Sequence, residues 1–504
     1  MSNITITKMD ETYIKVTAEE PWMEYDISEK FCYEKIGAQY DVRVKKGYWD
    51  GKIRLYNRKT HLMYLGLYYE LLSFLDSKKL SYSVVGEQPI NINEMSDDDL
   101  NALIETIDPH IDKKPIKPHW YQYDALKYQL TLGRTTSLAA TSAGKSLIIY
   151  LSARIYQLTT QKKIFIIVPS ANLVEQMYAD FNEYSTFEGS TWNVMHHCQK
   201  ISGKYTKAFA NQIIITTWQS LNKMPKCLMN DADVIFVDEV HGVRGTCLTD
   251  LMVASTNVAI RHGLTGTLDD VEYNELITTG LMGPIKRIVT AKQLIDEGDA
   301  TKLDIQMLIF NYKDSIKKQF SLLQKNTAPN KRYEQELQYL YTSKERTDNI
   351  QLLVSCMKGN SLVLFDRVED YGIKLYEEMK AKHKNTFLIV GEVDTKIREQ
   401  IRNILETYDD AIVYASYGTM STGISIKKLH NLICTGGGKS KIRFLQTIGR
   451  LMRKHKTKLV SKIFDIVDDL CYKGKENYFY KHGKERSSIY ITEEHSVSFN
   501  IIDI

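Results

Sequence analysis

Leu138-Ala-Ala-Thr-Ser-Ala-Gly-Lys-Ser146 is the stretch on which the reading of this chain turns. A strand-like entry over 136–140 leads into small residues, then Gly144-Lys145-Ser146, then a helical run from Leu147 to Leu158. Small residues let successive backbone N–H groups close around phosphate oxygens, and a helix start adds its positive end. Thr141, Ser142, Ala143 and Gly144 would form the cradle, Lys145 would reach the β/γ-phosphates of ATP, and the Ser146 hydroxyl would ligate Mg²⁺. Ala139 stands where the usual pattern has its first glycine, which alanine can replace if its φ stays negative. The competing reading is an ordinary strand-to-helix turn.

Such a loop calls for an acidic partner at the end of a buried strand and a group to orient water. Val234-Ile-Phe-Val237 is a continuous apolar run, as a parallel strand covered on both faces requires, and it ends in Asp238-Glu239-Val240-His241. Asp238 would hold the Mg²⁺ shell, Glu239 would activate or position the water, and His241 would link the site to a neighbouring element. Alone, Asp-Glu-x-His is commonly a solvated strand end. After the Gly144-Lys145-Ser146 loop, in the right order and behind its own apolar strand, it points to nucleotide hydrolysis.

Further segments follow in order over roughly residues 115 to 460: Pro118-His-Trp-Tyr-Gln122, Val168-Pro-Ser-Ala-Asn-Leu-Val-Glu-Gln176, Thr216-Thr-Trp-Gln-Ser220, Leu264-Thr-Gly-Thr267, Leu362-Val-Leu-Phe365, Tyr414 to Ser425, and Gln446-Thr-Ile-Gly-Arg-Leu-Met-Arg453. Together they resemble the superfamily-two DExH helicases. The resemblance implies an α/β fold of two tandem RecA-like, doubly wound parallel-sheet domains behind a small α+β N-terminal domain. It implies that Gln122 reads adenine, that Gly423 lies at the nucleotide, and that Gln446, Arg450 and Arg453 complete catalysis, the arginines acting as fingers. It assigns nucleic-acid contacts to Pro169, Ser170, Thr217, Trp218, Thr267, Tyr417 and Thr422. Gly47-Tyr-Trp-Asp-Gly-Lys-Ile-Arg-Leu55, Gly391-Glu-Val-Asp394 and the run around Lys439 are similar to the UvsW helicases of T4-like bacteriophages. That narrower resemblance implies an ATP-dependent remodeller of branched DNA (fork regression, Holliday-junction migration, R-loop removal) in phage recombination, repair and replication. DNA, RNA–DNA hybrids and phage recombination or replication proteins are then the implied partners, in the cytoplasm of the infected host.

A net charge of +4 is too small to argue for nucleic acid, but its distribution is informative. Residues 439–462 carry nine Lys or Arg and no carboxylate; residues 43–59 carry seven against the single Asp50. In the second cluster Arg43, Lys45, Lys46, Lys52 and Arg54 surround Trp49, a combination suited to phosphates and bases. Trp49 equally suits a small core. Seven scattered cysteines without a C-x-x-C pair predict reduced thiols and no structural zinc. No apolar run approaches the ~20 residues needed to span a bilayer, and Met1-Ser-Asn-Ile-Thr-Ile lacks the features of a signal peptide. A monomer in the cytoplasm, binding no membrane, is expected.

The organisation expected is a domain over 1–112, the phosphate-loop domain over 113–292 and the arginine-finger domain over 293–504. The first has strands near 12–17, 39–44 and 52–57 and a helix near 67–75, followed by a linker through 94–99 and 108–117. Apolar strands alternate with helical patterns in both later domains, and the polar run 313–353 reads as a solvated helix pair. A double-strand translocase, an RNA helicase, a restriction-type motor and a non-catalytic DNA-binding or annealing protein remain as alternatives. The motifs specify an engine without its track.

Overall fold

The computed structural model describes residues 3–35, 37–90, 92–203, 208–244, 246–266, 272–390, 403–417, 428–436 and 460–504. They form two compact units, Met1–Val289 and Thr290–Ile504.

The first unit is built on a seven-stranded parallel sheet. Its order is Cys198–Ile201, Ile213–Thr217, Lys163–Val168, Ala232–Asp238, Ile260–Thr265, Arg134–Ala139, Ile285–Val289. Helices cover the central strands, which explains their unbroken apolar sequence; Ile164, Ile166, Val234 and Phe236 are fully buried. The order matters for the site. Ile260–Thr265 lies between the strand ending at Asp238 and the strand feeding the loop 140–144, with Leu264 in register with Asp238 and Thr265 with Leu138.

Ahead of this sheet, a mixed five-stranded sheet runs Tyr56–Asn57, Leu62–Tyr64, Tyr13–Ala18, Ile4–Lys8, Tyr82–Val85 and packs against the helix Tyr68–Ser77. It belongs to the same unit. Arg134 Nη2 donates to the Glu11 carbonyl at 2.6 Å, and Arg261 Nη2 donates to Thr12 Oγ1 at 3.0 Å. Two expectations fail here. Residues 39–44 form no strand, because the Asp41 carboxylate accepts from Arg43 N (2.9 Å) and caps the short helix Val42–Lys45. The segment expected to be a linker contains the helix Asp97–Ile107, capped by Ser96 and favoured by Asp97, Asp98 and Asp99 in its first turn.

The second unit repeats the parallel architecture in the order Thr386–Ile389, Ile412–Ser416, Ser361–Phe365, Asn431–Cys434, Val460–Asp469, Lys302–Asn311, Val497–Asp503. The run 313–353 is not a solvated pair. It forms three helices, Asp314–Lys325, Arg332–Thr342 and Lys344–Ser355, whose Phe320, Leu337, Leu340 and Ile350 enter the core. Its charged residues are partly internal: the buried Arg346 guanidinium meets Asp468 through Nε–Oδ1 at 2.8 Å and Nη2–Oδ2 at 3.0 Å.

Candidate nucleotide and nucleic-acid site

Ala139 is the last residue of its strand, fully buried, and has no positive φ. Strand backbone accepts alanine, so the missing glycine costs the turn nothing. The left-handed positions come later, at Ser142 (φ 78°) and Gly144 (φ 73°), immediately before the helix Lys145–Thr159. Glycine at 144 is demanded twice, because a β-carbon there would also lie 2.4 Å from Gln122 Nε2. Gln122 holds the loop from behind: its Nε2 donates to the Ala143 carbonyl (2.9 Å) and its Oε1 accepts from His119 N (3.0 Å). The amide assigned to adenine is therefore buried and engaged with the phosphate loop in this structure.

Across the loop lies the segment after Ile260–Thr265. A β-carbon on Gly266 would sit 3.1 Å from Thr141 Oγ1 and 3.4 Å from Lys145 Nζ, so the bare backbone of Gly266 allows this close approach. Ser146 Oγ is 3.0 Å from the hydroxyl of Tyr184, which is buried at the end of the helix Ala171–Ser185. No motif or spacing singles out Tyr184.

The acidic pair is asymmetric. Burial and the neighbouring Glu239 charge raise the Asp238 carboxyl above the usual carboxylate range, with Lys145 opposing the shift. Glu239 is held below that range despite its burial, because Lys145, His241 and Thr265 favour its ionised form. Glu239 adopts the left-handed backbone (φ 53°), an unusual conformation for a side chain of its size and one that clusters at functional sites. Thr265 Oγ1 donates to Glu239 Oε2 at 3.1 Å, and His241 Nδ1 lies 3.0 Å from the same hydroxyl. Thr265 was not singled out by sequence, although it lies inside Leu264-Thr-Gly-Thr267. Asp238 Oδ1 is buried with no hydrogen-bond partner among the described residues. An orphaned carboxylate oxygen in the cluster that holds Lys145 fits a cation bound with phosphate.

The expected nucleic-acid contacts divide. Ser170 caps the helix Ala171–Ser185 through Leu173 N, and the Pro169 carbonyl accepts from Gln219 Nε2 at 3.3 Å. Thr217 Oγ1 receives Ser220 N at 3.2 Å, while the Trp218 ring lies against Gly242. The Tyr417 side chain is buried within the second unit. In the N-terminal cluster, Lys52 and Arg54 bind Glu29, Arg54 also binds Asp50, and Arg43 binds Asp41. Their charges are largely answered within the protein. Lys45 and Lys46 are exposed with no acidic partner among the described residues. Trp49 donates through Nε1 to the Lys52 carbonyl (2.9 Å) and lies under the Arg43 guanidinium at 4.8 Å. It braces the turn that leads into the strand Lys52–Arg54. Thr267, Thr422, Gly423, Gln446, Arg450, Arg453, the 391–394 segment and the basic run 439–459 lie outside the described residues.

A phosphate loop separated from an Asp-Glu strand end by one strand, with that strand's threonine hydrogen-bonded to the glutamate, is the arrangement of DExH-class nucleotide hydrolases. Residues 116–270 match the family described as type III restriction enzyme, res subunit, and residues 3–85 match DNA helicase UvsW, N-terminal. The chain is 30% identical to the ATP-dependent DNA helicase uvsW of Enterobacteria phage T4, over 98% of both chains. It is 22% identical to the DNA 3′-5′ translocase XPB2 of Sulfurisphaera tokodaii, over 70% of this chain and 82% of that one. The crystal structure of T4 UvsW superposes with a TM-score of 0.52, at 28% identity and 100% coverage of both. The chain belongs to the UvsW family of DNA helicases.

Proposed function

We propose that this chain hydrolyses ATP to drive the remodelling of branched DNA. The observation that carries the hydrolytic part is the Thr265–Glu239–His241 cluster beside Asp238 and Lys145. A carboxylate ionised at neutral pH and held on one side by a hydroxyl is suited to orient a water toward the terminal phosphorus. The water oxygen bonds to phosphorus as the bond to the ADP oxygen breaks; Glu239 accepts a hydrogen bond that orients the water, and the water's proton passes to the inorganic phosphate as it forms. Lys145 and the amides of 141–146 take up phosphate charge. Mg²⁺, when bound with the nucleotide, supplies further charge neutralisation, and Asp238 and Ser146 are the residues that would hold it.

Family membership supports two further assignments. Arg450 and Arg453 serve as fingers on the phosphates, and such a finger can be worth ~10³ to 10⁵ in rate. Hydroxyl and backbone groups around Ser170, Thr217, Thr267 and Thr422 grip phosphates without reading sequence. The branched-DNA preference rests on the relationship to T4 UvsW, with Lys45 and Lys46 as candidate contacts.

Two assays test the reading. Arg450→Ala should bind nucleotide almost normally yet lose turnover, so near wild-type ATPase would remove the finger assignment. Single-turnover unwinding should favour forks and four-way junctions over simple overhang and RNA duplexes; equal rates on all of them would reject the branched-DNA preference.

A further inference from the structure

The second unit contains a cleft of about 530 Å³ that no part of the nucleotide site explains. Its floor includes Phe320 and Leu470, and Lys325, Arg332, Lys475 and Lys481 converge on it. These four cations come from two helices of the 313–353 run and from the C-terminal segment, so no local charge run brings them together. None has a carboxylate partner among the described residues, although the chain carries 62 acidic residues against 66 basic ones.

Both carboxylates in the wall are already committed. Glu336, fully buried, accepts from Asn477 Nδ2 (2.7 Å), Tyr478 N (2.9 Å) and Phe479 N (2.7 Å), which fills the start of the helix Tyr478–Thr492. Glu476 pairs with Lys484 at 2.8 Å. The four cations therefore outnumber the carboxylates of the wall, and an added anion would answer the excess. The half-buried rings of Tyr472 and Tyr478 in its wall offer flat apolar surface beside that charge. Its volume lies within the usual range for small-ligand sites, ~300 to 1,000 Å³.

Its position narrows the choice of ligand. Leu470 follows the strand Val460–Asp469, whose Asp469 is in register with Asn311; Phe365 is in register with Ser416. All these strands are parallel, so the cleft lies at the carboxyl edge of the sheet. The strand Ile412–Ser416 ends at that same edge, and the family resemblance assigns nucleic-acid contacts to residues that follow it in sequence.

We propose that this cleft takes one nucleotide unit of a nucleic-acid strand, its phosphate among the four cations and its base against Tyr472 or Tyr478. The proposal rests on the nucleic-acid reading above and adds a contact outside the motifs. A free mononucleotide has the same chemistry, and the test separates the two sources.

Binding of the full-length chain to a fluorescent single-stranded oligonucleotide is measured against NaCl concentration. In the paired variant Lys325→Gln/Lys481→Gln, affinity at low salt should fall about tenfold and the slope of log K against log[salt] should flatten by about 1 to 2. Lys325→Arg/Lys481→Arg should restore both. Lys318→Gln, on the helix that carries Lys325 but outside the cleft, should change neither, and Mg–ATP binding by the paired variant should match wild type. An unaltered slope in the paired variant overturns the cleft. So does calorimetric binding of dTMP that the pair abolishes while its oligonucleotide slope stays wild-type. Absence of salt-dependent oligonucleotide binding by the wild-type chain would instead overturn the nucleic-acid reading, and the cleft with it.

Discussion

Thr265 Oγ1 stands between two partners, donating to Glu239 Oε2 at 3.1 Å and lying 3.0 Å from His241 Nδ1. A hydroxyl has one proton to give, so the imidazole N–H is the donor in the second contact. This fixes the histidine tautomer and one lone pair of the glutamate together. Thr265→Val keeps the shape and removes both bonds. It should lower the DNA-stimulated ATPase kcat by roughly 10- to 100-fold with little change in nucleotide affinity, because it disturbs orientation more than binding. A kcat within twofold of wild type would show that the threonine is incidental.

Gly144→Ala meets two separate obstacles, a left-handed backbone at φ 73° and the Gln122 amide 2.4 Å from the new carbon. Nucleotide affinity should fall at least about tenfold, with a stability cost of about 1 kcal/mol from the backbone alone. Adding Gln122→Ala removes the second obstacle only. Fluorescent-nucleotide titration of the double variant should therefore recover part of the loss, and a strictly additive pair would mean the two residues do not press on one another.

The buried Arg346–Asp468 pair should dominate the stability of the second unit. Arg346→Met leaves Asp468 inside the protein with Tyr312 as a remaining side-chain partner, at 2.9 Å. Stranding one member of a buried pair costs about 3–5 kcal/mol. Urea unfolding followed by hydrogen exchange on the strands Val460–Asp469 and Lys302–Asn311 should show that loss. Adding Asp468→Asn should return a measurable share of it.

His262 gives unit 1 an acid sensitivity. Its ring is fully buried between Thr135 Oγ1 (3.0 Å) and Tyr156 OH (2.8 Å), and burial lowers its pKa from 6.5 to about 3. Below about pH 6.5 the unfolded chain takes up a proton that the folded ring refuses. Stability is thus complete above 6.5 and is lost as pH falls toward 3, by up to about 1.4 kcal/mol per pH unit from this group. In chemical denaturation between pH 6.5 and 5, His262→Gln should have a shallower pH slope than wild type. Equal slopes would assign the acid sensitivity elsewhere.

What the sequence disclosed follows from where its physical signals are local. Val234–Val237 and Ile164–Val168 could be read as strands because both faces of the sheet are covered and no polar alternation interrupts them. Gly144-Lys145-Ser146 was legible because phosphate binding uses consecutive residues. Thr265 was not, since its meeting with Glu239 depends on which strands are neighbours, and strand order leaves no mark on spacing. The 313–353 run misled for a related reason. Glu336 and Arg346 look like a solvated face until Asn477 and Asp468, far along the chain, are brought against them. At 39–44 a single side chain decided the matter, the Asp41 cap outweighing β-prone neighbours.

The helix Ala171–Ser185 has Ser170 capping one end and Tyr184 touching Ser146 near the other. Fifteen residues of continuous helix make a rod about 22 Å long, with no loop inside it to absorb a displacement. It touches the helix that begins at Lys145 through the Tyr150 ring, against Phe181 and Tyr184, and through the phenolic oxygen of Tyr184 on Ser146, which is the contact nearest the nucleotide loop. One straight element thus joins the residue that caps it at Ser170 to the residue that would ligate the metal at Ser146. Tyr184→Phe removes the polar contact and keeps the ring against Tyr150.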